Sequence, residues 1–125
     1  KTKFPKNFEA YDNACSEGLV KVGKCFVFDR GEAYGDLKIR PRYIINFPTK
    51  EHWIHASELS FIRDGLVDLH DIIITKHLES VAIPALGCGL GGLPWEIVKG
   101  IITKRLTMPS CDIRVYEPLE KSKKH

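Results

Sequence analysis

Apolar residues recur along this chain with two different spacings. Leu59, Ile62, Leu66, Leu69 and Ile73 follow steps of three and four, which puts all five on one face of a helix. That helix is expected to start at Ser57, an N-cap residue type followed by the acidic Glu58, and to run to about His77. Gly65 sits inside it at a cost of about 1 kcal/mol, as expected where something packs closely. His70 and His77 read as surface residues. Phe4 to Ser16 predicts an earlier helix, with Pro5 in its first turn, Phe8, Tyr11, Ala14 and Cys15 on one face, and Gly18 as its stop. Glu96 to Leu106 predicts a third, with Ile97, Ile101, Ile102 and Leu106 on its apolar face.

Short continuous apolar runs lie between these segments. Lys24 to Asp29 carries Cys25, Phe26, Val27 and Phe28 in sequence, and Arg42 to Phe47 carries Tyr43, Ile44 and Ile45. Val81, Ala82 and Ile83 form a third run. All three are expected as strands, with Tyr43 to Ile45 buried and Val81 to Ile83 buried on both faces. Asp112 to Tyr116 alternates, with Ile113 and Val115 on one side and Arg114 and Tyr116 on the other. Gly31 to Pro41 reads as an exposed loop. Strands and helices in alternation predict an α/β fold around a mixed central sheet.

The most informative stretch is Ser80 to Trp95. Its apolar run ends in Pro84-Ala85-Leu86, then Gly87-Cys88-Gly89-Leu90-Gly91-Gly92, then Leu93, Pro94 and the third helix. Glycine lets backbone N–H groups converge, because it tolerates positive φ and carries no side chain. A helix start adds unpaired N–H groups and partial positive charge. Strand, glycine loop and helix together form a cradle for phosphate or pyrophosphate. A tight strand-to-helix turn without a ligand is the plainer reading, and four glycines in six residues favour the ligand loop. Neither familiar nucleotide pattern is met. No lysine follows the glycines, and the G-x-G-x-x-G spacing is absent.

Composition narrows the setting. The chain has 125 residues, 43% hydrophobic and 28% charged, enough for one domain with a modest core. No apolar stretch approaches a membrane span, so no membrane partner is expected. The net charge is +3, with Lys121, Lys123 and Lys124 supplying much of it from the tail. Such a balance permits nucleic acid without arguing for it. Cys15, Cys25, Cys88 and Cys111 form no C-x-x-C pair and read as reduced thiols in a cytoplasmic protein. His52 and His55 stand three apart without a third ligand, so no metal is expected. The first residue is Lys1, before any strand, and the sequence is expected to start inside a larger protein.

Pro48 breaks the second strand, leaving Thr49, Lys50, His52 and Trp53 in a loop at its carboxyl end. Open α/β sheets bind ligands at that end of their strands. Taken alone, Lys50 is more simply a solvated charge and Trp53 a cover for the core edge.

Ile83-Pro84-Ala85-Leu86-Gly87-Cys88-Gly89 to Leu93-Pro94-Trp95 resembles the second phosphate loop of macrodomains, and the likeness extends from about Phe4 to Pro118. Tyr43-Ile44-Ile45-Asn46-Phe47-Pro48-Thr49-Lys50-Glu51-His52-Trp53 is similar to the DarG-type branch, as are Phe4 to Tyr11 and Val115 to Pro118. The resemblance implies a three-layer α/β/α sandwich over residues 1–118, followed by a disordered basic tail over 119–125. Relative to the family, the first strands and the first ligand loop are missing from this sequence, which offers about half of a ligand cleft.

The same resemblance implies a function. That branch consists of antitoxins that remove ADP-ribose attached to thymidine in DNA by a partner ADP-ribosyltransferase toxin. Pro84, Ala85, Leu86, Gly87, Cys88, Gly89, Leu90, Gly91, Gly92 and Leu93 would hold the diphosphate. Leu86 and Leu90 could wall it, or could equally be core. Tyr116, Glu117 and Pro118 lie where the family places adenine. Lys50 matches the lysine held essential in that branch, with Thr49, His52 and Trp53 beside it on the substrate side. A lysine there could donate a proton to the leaving group or ring oxygen, or attack the sugar carbon as an amine. No cofactor is implied. Two other readings remain: a module that binds ADP-ribose without hydrolysing it, and a protein-interaction fragment without a ligand.

Overall fold

The computed structural model describes residues 4–31, 41–50, 57–89 and 91–118. The expected tail over 119–125 and the loop residues 32–40 lie outside the described residues. In chain order the elements are α1 (Pro5–Ser16), β1 (Phe26–Asp29), β2 (Tyr43–Asn46), α2 (Leu59–Thr75), β3 (Ser80–Ile83), α3 (Trp95–Arg105) and β4 (Asp112–Val115).

Among the described residues the strands fall into two pairs. β1 and β2 are antiparallel, with Phe26 opposite Asn46 and Asp29 opposite Tyr43. β3 and β4 are parallel, with Ser80 opposite Asp112 and Ile83 opposite Val115. Both senses of pairing expected of a mixed sheet are therefore present, in two pieces.

The core forms where α2 and α3 pack together. Ile62, Leu66, Leu69 and Ile73 of α2 are buried with Val98, Ile102 and Leu106 from α3 and its end. Ile83, Leu86 and Cys111 complete the cluster. The α2 stripe is the one its spacing predicts, with Leu59 half-buried at its margin. α2 ends at Thr75, two residues short of expectation, because His77 takes φ 54°. There the N–H of Leu78 bonds the Ile73 carbonyl at 3.0 Å and that of His77 bonds Ile74 at 3.3 Å, closing the helix in a Schellman motif. Gly18 (φ 74°) closes α1 in the same way.

Several burial expectations need correction. Val81 to Ile83 is not buried on both faces: Val81 is half-buried, Ala82 exposed and Ile83 buried. The helical core covers one face of β3, and burial alternates as a one-sided strand requires. Tyr43 to Ile45 are half-buried rather than buried, since β1 is the only described strand paired with them. In α3 the buried stripe is Val98, Ile102 and Leu106, whereas Ile97 is 49% exposed. Pro94 is the N-cap. In α1 only Ala14 is buried. Tyr11 packs against Phe26 with the rings tilted and their centroids 5.7 Å apart, while Phe8 and Cys15 are exposed. Among the described residues, no helix is long and apolar enough to cross a membrane.

Gly65 explains how β2 meets α2. A Cβ there would strike the Phe47 ring, whose Cε1 and Cε2 atoms lie 2.6 and 2.9 Å from its position. Glycine lets the ring lie on bare helix backbone. An alanine in mid-helix would ordinarily add about 1 kcal/mol of propensity. Here it must move an aromatic ring, which costs about 1–3 kcal/mol. Gly65→Ala is therefore expected to lower the melting temperature, as thermal unfolding followed by circular dichroism will show; a rise would refute the close packing.

Candidate functional site

The glycine loop leaves β3 at Pro84 and folds on itself through short backbone bonds. The Cys88 N–H donates to the Ala85 carbonyl at 3.2 Å, a turn with Gly87 (φ 72°) at its third position, where positive φ is required. Gly92 N–H bonds the Gly89 carbonyl at 3.1 Å, and Leu93 N–H bonds the Gly87 carbonyl at 2.9 Å. With Leu86 N–H on the Pro84 carbonyl, the amides of Leu86, Cys88, Gly92 and Leu93 are all spoken for. Those of Ala85, Gly87, Gly89 and Gly91 have no partner among the described residues, and Gly91 itself is buried. Three of these are glycine N–H groups two residues apart, a spacing compatible with an anion cradle.

Two helices frame the loop. Pro94 starts α3, and Glu96 in its first turn already places negative charge against that helix end. The attraction of α3 for an anion is partly met by the chain itself, which shifts weight to the loop amides. On the other side, the Ser57 N–H donates to the Gly91 carbonyl at 3.2 Å. The N-cap of α2 is Glu58, one residue later than expected, without a side-chain cap bond. The Ser57 hydroxyl is buried and takes no partner.

The Phe47-Pro48-Thr49-Lys50 segment arrives at the same helix. Phe47 rests on Gly65, while the loop reaches α2 one turn earlier, with Ile62 Cδ1 3.5 Å from where a Cβ on Gly87 would stand. Pro48 is buried, and Thr49 and Lys50 are half-buried. The Asn46 side chain before them is fully engaged. Its Nδ2 donates to Asn7 Oδ1 at 2.8 Å and to the Phe26 carbonyl at 3.0 Å, and its Oδ1 accepts from Asn7 at 3.2 Å. That lock fixes where the strand ends. The parallel strand β4 delivers Tyr116 beside the loop, its N–H on the Ile83 carbonyl at 2.8 Å. Tyr116 and Glu117 are exposed and Pro118 is half-buried.

Other expected positions divide. Leu86 is 8% exposed and belongs to the core cluster, so packing accounts for it. Pro84 and Gly89 are exposed, and Ala85, Cys88 and Leu93 are half-buried. Leu90, His52 and Trp53 lie outside the described residues. Cavities of about 220 and 450 Å³ sit elsewhere, one beside Leu66 and His70, the other beside Phe4 and Arg30. Neither is lined by the glycine loop.

Nothing among the described residues groups three or more His, Cys, Asp or Glu side chains as a metal site would. The four cysteines are free thiols. Burial pushes the Cys88 thiol above its ordinary range. It therefore stays neutral beside the open amides, where a thiolate would repel an anion. Cys25 is pushed from 9.0 up to about 12, first by burial and then by the Asp68 carboxylate. Asp68 Oδ2 also accepts the Cys25 backbone N–H at 2.7 Å.

Comparison with known proteins follows this geometry. The Macro domain family profile matches residues 1–102. A protein of Thermus aquaticus named DNA ADP-ribosyl glycohydrolase is 44% identical over 126 residues, covering all of this chain and 34% of its own. A Thermosipho africanus protein named as a DNA ADP-ribosyl transferase–DNA ADP-ribosyl glycohydrolase fusion is 34% identical, covering 97% of this chain and 34% of its own. The solved macrodomain of Mycobacterium tuberculosis DarG superposes with a TM-score of 0.86 at 42% identity, covering 94% of this chain and 74% of that one. The chain thus spans about a third of the length of these curated relatives.

The thiol environments make a direct prediction. A neutral thiol is a poor nucleophile, so at pH 8 a thiol reagent should label exposed Cys15 quickly and Cys25 only on unfolding. Because the folded protein holds the Cys25 proton more tightly than the unfolded chain, the stability it contributes is complete below pH 9 and lost as pH rises toward 12. Mass spectrometry of labelled peptides checks the order; rapid labelling of Cys25 in native protein would contradict it.

Proposed function

The chain belongs to the macrodomain family, and from that premise we propose that it removes ADP-ribose from thymidine bases of DNA. One observation carries this reading. Two segments characteristic of that chemistry, the Lys50 strand end and the glycine loop, both meet α2 within its first two turns. The relatives named for this reaction match across both segments.

The division of labour follows from what each segment offers. The diphosphate of ADP-ribose is bound by the Gly87, Gly89 and Gly91 amides. Bonds of this kind to charged oxygen contribute about 1.5–3 kcal/mol each. Tyr116, Glu117 and Pro118, beside the loop at the end of β4, offer the adenine its contact. Thr49 and Lys50 face the distal ribose. Cutting the bond between that ribose and the base develops positive charge on the sugar and negative charge on the leaving nitrogen. Lys50 serves as proton donor to the leaving base or as an amine attacking the sugar carbon. In the first role the proton moves to the departing nitrogen while water takes the sugar carbon. In the second the amine forms a transient bond to that carbon, and water later breaks it. Both end in free ADP-ribose and unmodified thymidine.

An activity that reverses a modification implies a partner that makes it. We place the chain opposite an ADP-ribosyltransferase toxin, as its antitoxin, acting on ADP-ribosylated DNA in the cytoplasm. Four free thiols fit a reducing compartment.

Lys50→Ala is expected to slow ADP-ribose release from single-stranded DNA carrying ADP-ribosyl-thymidine by about 10²-fold or more, in a variant that circular dichroism shows to be folded. Release is read by chromatography of the free nucleotide. Undiminished release by a folded variant removes Lys50 from the mechanism; ADP-ribose binding without turnover in the unsubstituted protein favours a reader module instead.

A further inference from the structure

Ser57 stands immediately before α2 with its side chain only 6% exposed. It does not cap the helix, because Glu58 holds the N-cap position. Among buried side-chain nitrogen and oxygen atoms of the described residues, its Oγ is the one without a hydrogen-bond partner. A buried hydroxyl left unbonded is unfavourable, and native proteins rarely keep one without a use.

The position of that hydroxyl indicates the use. A Cβ built on Gly91 would run into both Ser57 Oγ and the Gly87 carbonyl oxygen. The two oxygens therefore flank the same bare Cα from neighbouring directions. Gly91 must be glycine for them to approach it at all. The Gly87 carbonyl already accepts from Leu93 N–H at 2.9 Å, and a carbonyl has a second lone pair. Meanwhile the Ser57 backbone N–H already holds the Gly91 carbonyl at 3.2 Å. One residue thus grips the loop from behind, by its main chain in the structure and with a side-chain donor in reserve.

We infer that Ser57 is a positioning residue for the glycine loop, whose hydroxyl donates to the Gly87 carbonyl once a diphosphate is seated on the loop amides. The inference rests on the ADP-ribose reading given above. Drawing the Gly89 and Gly91 amides onto phosphate oxygens tightens the loop around Gly91 and closes the gap between the two oxygens. Ser57 touches no ligand; its Oγ is sealed from solvent. Its effect is to make the tightened loop the more stable one, and so to strengthen anion binding.

A merely structural serine and a positioning serine give different signatures. Ser57→Ala removes an unbonded hydroxyl at almost constant shape, so without ligand the melting temperature should stay level or rise. ADP-ribose affinity, measured by calorimetry on the protein expressed from its whole natural reading frame, should fall about 3- to 10-fold. Ser57→Cys, a weak donor of similar size, should fall between the two. Equal affinity in Ser57→Ala and the unsubstituted protein overturns the inference. So does a fall in affinity that merely parallels a fall in melting temperature. If the unsubstituted protein itself shows no ADP-ribose binding, the ADP-ribose reading fails and takes this inference with it, a result separable from the other two.

Discussion

The ring of Phe47 lying on bare α2 backbone at Gly65 is the contact on which the rest of the site depends. It fixes the end of β2 against a helix whose own position is set by four fully or nearly fully buried residues, Ile62, Leu66, Leu69 and Ile73. The same helix meets the glycine loop at Ile62 and Ser57. It reaches β1 through Asp68, which takes the Cys25 N–H. One helix therefore meets the Phe47 strand end, the glycine loop and β1, while Tyr116 to Pro118 reach the loop through β4. Catalytic groups held on separate loops need such a common reference, since a displacement of about 1 Å costs rate heavily.

The loop is organised by its own backbone bonds. Among the described residues, four of its amides are taken up by its own turns, and those of Gly87, Gly89 and Gly91 are not. Two of these positions require glycine: Gly87 needs positive φ, and Gly91 has Ser57 and the Gly87 carbonyl against it, whereas Gly89 has open space around it. Cys88 within it stays neutral, its thiol pushed up by burial.

Much of this was readable in the chain, and the misses share one cause. The α2 stripe was legible because helical period is a local property, and Gly65 within it correctly flagged a close approach. The strand–glycine loop–helix order was legible for the same reason. Burial of Val81 to Ile83 was not, because a continuous apolar run does not say which neighbour covers which face. In α3, Ile102 and Leu106 are buried as expected, but Val98 rather than Ile97 joins them, because packing against α2 decides the face. Ser57 was misread as a cap for a similar reason: residue type marks a helix start, yet the glycine loop that claims its N–H is more than thirty positions away. The meeting of Phe47 with Gly65 is likewise non-local, and only family resemblance drew attention to Lys50.

The claim that main-chain glycine amides hold a diphosphate is tested most directly by nuclear magnetic resonance of ¹⁵N-labelled protein titrated with ADP-ribose. The account predicts that the backbone amide signals of Gly87, Gly89 and Gly91 move most, and that inorganic pyrophosphate moves the same three more weakly. ADP-ribose binding that leaves these three signals in place would contradict it.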